Sequence, residues 1–351
     1  MNVFLTGGGT MGPVTPLLAI VEAWRKRRTD VEFVWIGTPN GPERAFVQRY
    51  QIPFYALPVA RIPRYISIEW LTFPFTFLFA FLKSLYLIAR LHPDVIASAG
   101  GFTSVPVVLA GKLFRVPAWL HQQDVYPILT SLLLAPFVHQ ITVAFEQSYK
   151  LFQPEKTQLL GNPVRPSILD GSKTEAMKLF ALSPHKPTLL VFGGGTGATW
   201  INHAMEEIAG ELVSQMNVIH VTGKGKKTSL ESLTGYFQTE FLYESLKHVY
   251  AVSDLVVSRA GMGSITELSA LSKPTIFVPL PNSAQEVNLD PFLECVSVVE
   301  QHQSHEVLKQ TILDLMKDSE KRQTMGQLFH DRLQTDVAHR MIELLEQMIK
   351  K

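Results

Sequence analysis

A single cysteine, Cys295, stands among 351 residues. One thiol closes no disulfide and furnishes no cysteine-based zinc site within a chain, so Cys295 is expected to be buried and inert. Charge of one sign is equally short. The 32 Lys and Arg against 31 Asp and Glu leave a formal +1, which gives no electrostatic footprint for nucleic acid. The opening Met1-Asn2-Val3-Phe4-Leu5 lacks a basic n-region and a full apolar h-region. No secretory signal is therefore expected, and the cytoplasm is the simplest compartment.

What is present suits a sizeable core. Hydrophobic residues make up 46% and charged residues 18%, over a length comfortable for two domains. Val3-Phe4-Leu5-Thr6 reads as a short buried strand, followed by Gly7-Gly8-Gly9-Thr10-Met11-Gly12 and a helical run from Pro16 to about Trp24. The pattern returns in Leu189-Leu190-Val191-Phe192, Gly193-Gly194-Gly195-Thr196-Gly197-Ala198 and a helix from Trp200 to about Leu212. Further strands are expected over 31–36, 95–98, 118–121, 140–144, 218–222, 255–258 and 275–278. Alternating β and α predicts parallel sheets covered on both faces, hence an α/β chain of two doubly wound, Rossmann-like domains. The boundary is expected at Gly161-Asn162-Pro163, where prolines restrict the chain. That gives a first domain over 1–162 and a second over 163–335, with a last helix over about 336–351 packing back on the first. Ligands of open α/β sheets bind outside the carboxyl ends of the strands. Two such domains facing across a cleft, the GT-B arrangement, would hold a ligand between their glycine loops. Loops that merely turn tightly are the plainer alternative.

Gly7, Gly9 and Gly12 match G-x-G-x-x-G, but a dinucleotide site also wants an acid about 20 residues on. The second strand ends Trp35-Ile36-Gly37-Thr38-Pro39-Asn40, without a carboxylate for a ribose. Neither loop carries the Gly-Lys-Ser/Thr ending of a P-loop. Glycosyl transfer fits better than hydride transfer or nucleotide hydrolysis.

A set of motifs in fixed order then carries a family resemblance. It comprises Gly8-Gly9-Thr10, Pro16, Gly100-Gly101-Phe102-Thr103-Ser104, His121-Gln122-Gln123-Asp124 and Gly161-Asn162-Pro163-Val164-Arg165. Gly193 to Ala198 with Asn202 follow, then Thr222-Gly223-Lys224, Ser258-Arg259-Ala260-Gly261 with Glu267, and Gln285 with Asn288. Over nearly its whole length the chain resembles the bacterial MurG family, the N-acetylglucosamine transferases that make the last lipid-linked precursor of peptidoglycan. The resemblance implies UDP-N-acetylglucosamine as donor, held mainly by the second domain. It implies an undecaprenyl-diphosphate-linked muramyl pentapeptide as acceptor, approached by the first. It also implies an inverting reaction with no cofactor and no bound metal.

In the donor half, Ser258-Arg259-Ala260-Gly261-Met262-Gly263-Ser264 follows a strand and precedes a helix. Free N–H groups of Gly261, Met262, Gly263 and Ser264 at such a start favour a diphosphate. Glu267 is expected in the first helical turn, where the dipole favours a carboxylate; the resemblance makes it the acceptor for two ribose hydroxyls. Asn162, Arg165 and Arg259 are further candidates on the donor, the arginines for phosphate, with surface ion pairs as their plainer reading. By resemblance Gly194, Gly195 and Thr196 belong to the donor loop, Leu242 to the uracil, and Gln285 and Asn288 to the sugar hydroxyls.

An inverting transfer needs a base near the attacking hydroxyl. The family pattern Gly-Gly-Thr-Gly-Gly-His is here Gly8-Gly9-Thr10-Met11-Gly12-Pro13, with proline in place of histidine. Phe102 replaces a tyrosine; Gln122 and Asp124 replace the glutamate and asparagine of His-Glu-Gln-Asn. Asp124 or His121 is the expected substitute base, with Thr10 beside it; an ordinary strand-end histidine is the other reading of His121. The stretch from Ile66 to Arg90 is rich in Phe and Leu, flanked or punctuated by Arg61, Arg64, Lys83 and Arg90. Its uninterrupted part is shorter than the roughly 20 residues a span needs. A helix lying on an anionic membrane surface is expected, at the cytoplasmic face, against the alternatives of a buried or a spanning helix. Two other functions stay open: a silent nucleotide-sugar-binding protein at the membrane, and another enzyme on this scaffold, such as a UDP-N-acetylglucosamine 2-epimerase or a transferase with a different acceptor.

Overall fold

The computed structural model describes residues 1–58, 69–195, 197–334 and 336–350, with the side chains of 69–71 left aside. Two compact units emerge, Met1–Arg165 with Gln334–Lys351, and Pro166–Leu333.

The first unit runs β1 (Asn2–Thr6), α1 (Thr15–Arg27), β2 (Glu32–Gly37), α2 (Glu43–Arg49), β3 (Phe54–Ala56), α3 (Glu69–Leu91), β4 (Val95–Ser98) and α4 (Ser104–Leu113). It continues through β5 (Ala118–Gln122), α5 (Leu129–Leu134), β6 (Gln140–Val143), α6 (Glu146–Tyr149) and β7 (Thr157–Leu159). All seven strands are parallel, in the order β3-β2-β1-β4-β5-β6-β7. The order reverses between β1 and β4, so the loops after these two strands border the crevice where ligands of such sheets sit. Strand β1 is buried from Val3 to Thr6, and Trp24, Trp35 and Trp119 are fully buried around it. Pro16 opens α1, where its missing N–H costs nothing, and Arg25, Lys26 and Arg27 close it at the negative end of the dipole.

The second unit holds α7 (Lys173–Leu179), β8 (Thr188–Phe192), α8 (Thr199–Gln215), β9 (Asn217–Val221), β10 (Tyr236–Thr239), α9 (Leu246–Val252) and β11 (Leu255–Ser258). There follow α10 (Met262–Ala270), β12 (Thr275–Phe277), α11 (Ala284–Val287), β13 (Ser297–Val298), α12 (His305–Lys317) and α13 (Ser319–His330). Its parallel sheet reads β10-β9-β8-β11-β12-β13 and reverses between β8 and β11. Buried Cys295 donates its S–H to the Phe292 carbonyl at 3.1 Å, and burial pushes the thiol pKa up, which keeps it unreactive.

The chain then returns to the first unit as α14 (Val337–Lys350). Its Val337, Met341, Ile342 and Leu345 join Leu17, Val21 and Trp24 in one core. Arg27 pairs with Glu343 and Glu346, and Arg28 with Glu346. The break between units falls after Arg165 rather than after Asn162. Arg165 reaches Tyr50 of the first unit by hydrogen bond and by charge, which fastens 163–165 there.

Candidate active site

In the first unit the glycine loop after β1 meets the loops after β2 and β4. Gly100 and Gly101 have φ of +87° and +90°, a conformation open to glycine. A Cβ on Gly101 would approach the Gly8 carbonyl to 3.2 Å. Together Gly8, Gly9, Thr38, Gly41, Phe102 and Thr103 line a cavity of about 290 Å³. Beneath it lies a residue that sequence reasoning missed. Glu43, in the first turn of α2, is fully buried. Its Oε2 accepts from the Gly9 N–H at 3.2 Å, and its Oε1 from the Thr38 N–H at 2.7 Å and the Thr38 hydroxyl. The acid absent between Trp35 and Asn40 comes just beyond, and a carboxylate opening the helix after the second strand was its signal.

The His121-Gln122-Gln123-Asp124 segment leaves β5 beside this loop. A Cβ on Gly12 would lie 3.1 Å from Gln123 Nε2 and 3.7 Å from Thr10 Oγ1. Thr10 is exposed and Asp124 half-buried, so a substrate can reach both. The Asp124 carbonyl is held by the Ser148 hydroxyl at 3.0 Å and by Gln122 Nε2 at 3.2 Å, which fixes the turn that carries its side chain.

His121 is not available as a base. It is fully buried, with Nδ1 3.0 Å from the Thr142 hydroxyl and Nε2 2.9 Å from Asn162 Oδ1. Asn162 Nδ2 donates to the Gln123 carbonyl at 3.1 Å, so its Oδ1 faces the ring and His121 Nε2 carries the proton. Burial lowers the His121 pKa to about 4. This imidazole is a neutral strut, and Asn162 spends both ends of its amide on it and on Gln123. The second unit repeats the device. His220 lies between the Tyr236 hydroxyl and Asn202 Oδ1, and Asn202 Nδ2 donates to the Thr222 and Lys226 carbonyls. Burial lowers its pKa to about 4 as well.

Both histidines therefore tie stability to pH. The unfolded chain takes up a proton near 6.5 while the folded one stays neutral to about 4. Their contribution is complete above 6.5 and is lost as pH falls toward 4, at most about 3 kcal/mol each. Denaturant midpoints should drop between pH 7 and pH 4.5, and less steeply in His220→Gln. An identical pH slope in that variant would count against the strut.

The donor loops flank the reversal of the second sheet, after β8 and β11. Gly194 and Gly197 have φ of +75° and +72°. A Cβ on Gly197 would come within 2.1 Å of the Thr222 carbonyl, so this turn admits no side chain. Gly195 is half-buried beside them, and Thr196 lies outside the described residues. Gly261 caps α10 and brings no side chain to the helix start, among the described residues no other side chain bonds there, and the space a Cβ would take is open. The N–H groups of Met262, Gly263 and Ser264 are thus the orphan donors of a helix end.

Glu267 is not in the first turn. The helix begins at Met262 and its first turn holds no acid, so Glu267 stands a turn further on, beyond the strongest dipole field. What holds this buried carboxylate instead is the Tyr250 hydroxyl, 3.2 Å from Oε2. Arg259 is 8% exposed, and its Nη1 donates to the Val278 and Pro279 carbonyls at 3.0 Å. Desolvation lowers its pKa, yet a guanidinium keeps its charge at neutral pH. Leu242 is buried after β10, and its sequence neighbours Phe241 and Tyr243 bring their rings together at a tilt of 46°. Gln285 gives its Oε1 to the Leu280 N–H at 3.0 Å and is half-buried, whereas Asn288 is buried at the end of α11. Asn162 and Arg165 lie in the first unit, apart in the chain's organisation from these donor-loop residues.

Residues 3–143 match the glycosyltransferase family 28 N-terminal domain, and residues 188–341 match the family 28 C-terminal domain. The chain is 35% identical, over 91% of its length and 91% of the relative's, to a UDP-N-acetylglucosamine–N-acetylmuramyl-(pentapeptide) pyrophosphoryl-undecaprenol N-acetylglucosamine transferase of Clostridium perfringens. It belongs to the MurG family. The crystal structure of Acinetobacter baumannii MurG superposes with a TM-score of 0.72 at 21% identity, covering 99% of both chains. A UDP-N-acetylglucosamine 2-epimerase from Neisseria meningitidis also gives 0.72, at 13% identity over 99% of this chain and all of that one. These two likenesses speak for the fold alone.

Within the MurG family, the helix α3 of this member has a two-sided character. Ala80, Ser84, Leu87 and Ile88 are buried, while Phe75, Leu78, Phe79, Leu82 and Tyr86 are more than half exposed. The exposed set follows the spacing of one helical face. Only 22% of the apolar window Thr72–Leu91 is buried, so α3 is no ordinary core helix. Arg90 is tied to Tyr86 by hydrogen bond and ring stacking. Arg61, Arg64 and Ile66 lie outside the described residues.

Proposed function

We propose that this chain transfers N-acetylglucosamine from UDP to the muramyl 4-hydroxyl of an undecaprenyl-diphosphate-linked muramyl pentapeptide, with inversion. The observation that carries the reading is the uncapped start of α10 after β11, in a chain 35% identical to a transferase of that name. The acceptor oxygen forms its bond to the anomeric carbon as the bond from that carbon to the diphosphate breaks. UDP leaves with the electron pair. Asp124 takes the hydroxyl proton, and the α10 N–H groups with Arg259 receive the charge that grows on the departing diphosphate. Glu267 accepts from the ribose hydroxyls, Gln285 and Asn288 hydrogen-bond the sugar hydroxyls, and Leu242 holds the base through its backbone.

No bound metal is needed in this scheme, so turnover should survive chelation by EDTA; loss restored by a divalent ion would refute that part. Glu267→Gln replaces a charged acceptor by a neutral one. The KM for UDP-N-acetylglucosamine should rise about 10- to 100-fold, with acceptor KM unchanged. Equal KM values in variant and parent would remove Glu267 from the donor.

Support for a membrane location comes from the apolar face of α3, which suits shallow insertion at the cytoplasmic leaflet where a lipid-linked acceptor resides. Radiolabelled sugar transfer to lipid-linked muramyl peptide tests the whole reading. Incorporation supports it. Donor binding without incorporation supports a silent module, and a 2-epimerised free sugar supports the epimerase.

A further inference from the structure

A diphosphate that gains charge as it leaves calls for cations fixed beside it. Arg259 has part of its guanidinium committed, since its Nη1 serves the Val278 and Pro279 carbonyls. The loop after β8 adds backbone alone: its described members, Gly193, Gly194, Gly195, Gly197 and Ala198, have no polar side chain. The space beside Gly194 is open, with nothing within 4 Å of where a Cβ would stand. A ligand has room there, but the loop itself offers it no charge.

The neighbouring loop, after β9, has charge to offer. It runs Thr222-Gly223-Lys224-Gly225-Lys226-Lys227-Thr228. The three lysines have different surroundings. Lys227 is paired with Glu231 at 2.8 Å, and Lys224 is exposed. Lys226 is half-buried, and its Nζ donates across to the Gly197 carbonyl at 3.4 Å. Its ammonium therefore sits on the donor loop itself.

The backbone beneath this side chain is firmly held. Gly223 and Gly225 have φ of +94° and +68°, and the Lys226 N–H donates to the Gly223 carbonyl at 3.1 Å, which closes a tight turn. The Lys226 carbonyl accepts from Asn202 Nδ2 at 3.2 Å, and the same amide group holds the Thr222 carbonyl at 3.0 Å. Glu240 Oε1 takes the Gly225 N–H at 2.8 Å. The two loops are in close contact, since a Cβ on Gly197 would lie 2.8 Å from the Gly223 Cα. Only the flexible stem of Lys226 is left to move. Its contact with Gly197 is longer than the roughly 2.7–3.2 Å of a full N–H···O bond. A phosphate oxygen offers a charge-assisted bond roughly twice as strong as a neutral one. The ammonium gains by turning from the carbonyl to a phosphate.

We propose that Lys226 is a second cation of the donor site, which binds the diphosphate of the nucleotide sugar from the loop after β9 and stabilises it as it departs. The proposal rests on the donor reading above. Arg259 and the start of α10 approach the diphosphate from β11, and Lys226 approaches it from the far side of β8.

The test uses the full chain with UDP and uridine, probes that differ by the diphosphate alone. Lys226→Met keeps most of the stem and removes the charge. UDP should bind this variant about tenfold more weakly, and uridine as it binds the parent. Lys226→Arg should bring UDP affinity back to within about threefold of the parent. Lys227→Met, which loses only the pair with Glu231, should match the parent. Added salt should weaken UDP binding more in the parent than in Lys226→Met, which lacks the charge being screened. Where transfer occurs, kcat at saturating donor should fall about tenfold in Lys226→Met, with acceptor KM unchanged. Equal UDP affinity in parent and Lys226→Met would overturn the proposal and leave the donor reading standing. Equal weakening toward UDP and uridine would overturn it as well, because Lys226 would then only hold the loop. A parent protein that binds neither probe would remove the donor reading together with the proposal.

Discussion

Asp124→Asn should lower turnover by about 10²- to 10⁴-fold, the range expected when a positioned base is lost, with UDP binding intact. The argument begins with elimination. Pro13 has no group to accept a proton, and His121 is sealed between Thr142 and Asn162. Asp124 remains, half-buried, on a turn whose carbonyl is held by Ser148 and Gln122, in a segment that shares the surroundings of Gly12 and Thr10. Asparagine preserves size and hydrogen bonding at that turn but takes no proton. The informative comparison is kcat against UDP affinity. Unaltered kcat removes Asp124 from the chemistry, whereas parallel loss of kcat and UDP affinity points to a disturbed fold. Gln122→Ala, which frees one restraint on the Asp124 carbonyl, should produce a smaller loss of the same kind.

Serine at Phe75, Phe79 and Leu82 together should weaken binding to anionic vesicles by at least about 100-fold. A fully transferred side chain of this size contributes about 1.5–3 kcal/mol, and three partly inserted ones suffice for that factor. These side chains are 76%, 58% and 54% exposed, so the folded protein gains little from them and the melting temperature should hold. Sedimentation with vesicles beside a thermal scan separates the two effects. Vesicle binding that survives the triple change would refute the role given to α3. The same change should reduce turnover on acceptor in vesicles far more than on acceptor in detergent.

The order of strands and helices was legible wherever a strand is buried on both sides. Central strands β1, β2, β4, β5 and β6, and then β8, β9, β11 and β12, stand out as apolar runs between turn signals. The strands without such a signal, β3, β7, β10 and β13, are the edges of the two sheets. They are short and only partly buried, so their composition carries little of the pattern that marks a core strand. The donor loops were legible because glycine at Gly194 and Gly197 answers a backbone requirement that sequence displays.

Roles that depend on what a side chain faces were not. His121 reads as a histidine beside a motif, and only the two groups at its ring turn it from base to strut. Glu267 reads as a first-turn acid until the helix start is fixed at Met262. Glu43 escaped notice because a carboxylate opening a helix reads as an ordinary first-turn acid, and only its reach back under a loop 34 residues earlier sets it apart.

The return of α14 to the first unit has a consequence for how the protein is made. Unit two is an insertion within unit one, and every strand of both sheets emerges from the ribosome before α14 does. The inserted unit can close on residues already synthesised. The first unit, begun earlier, must wait with Leu17, Val21 and Trp24 uncovered until its last helix arrives. Nascent chains arrested before Val337 should therefore recruit chaperones at α1, and chains released beyond Met348 should not.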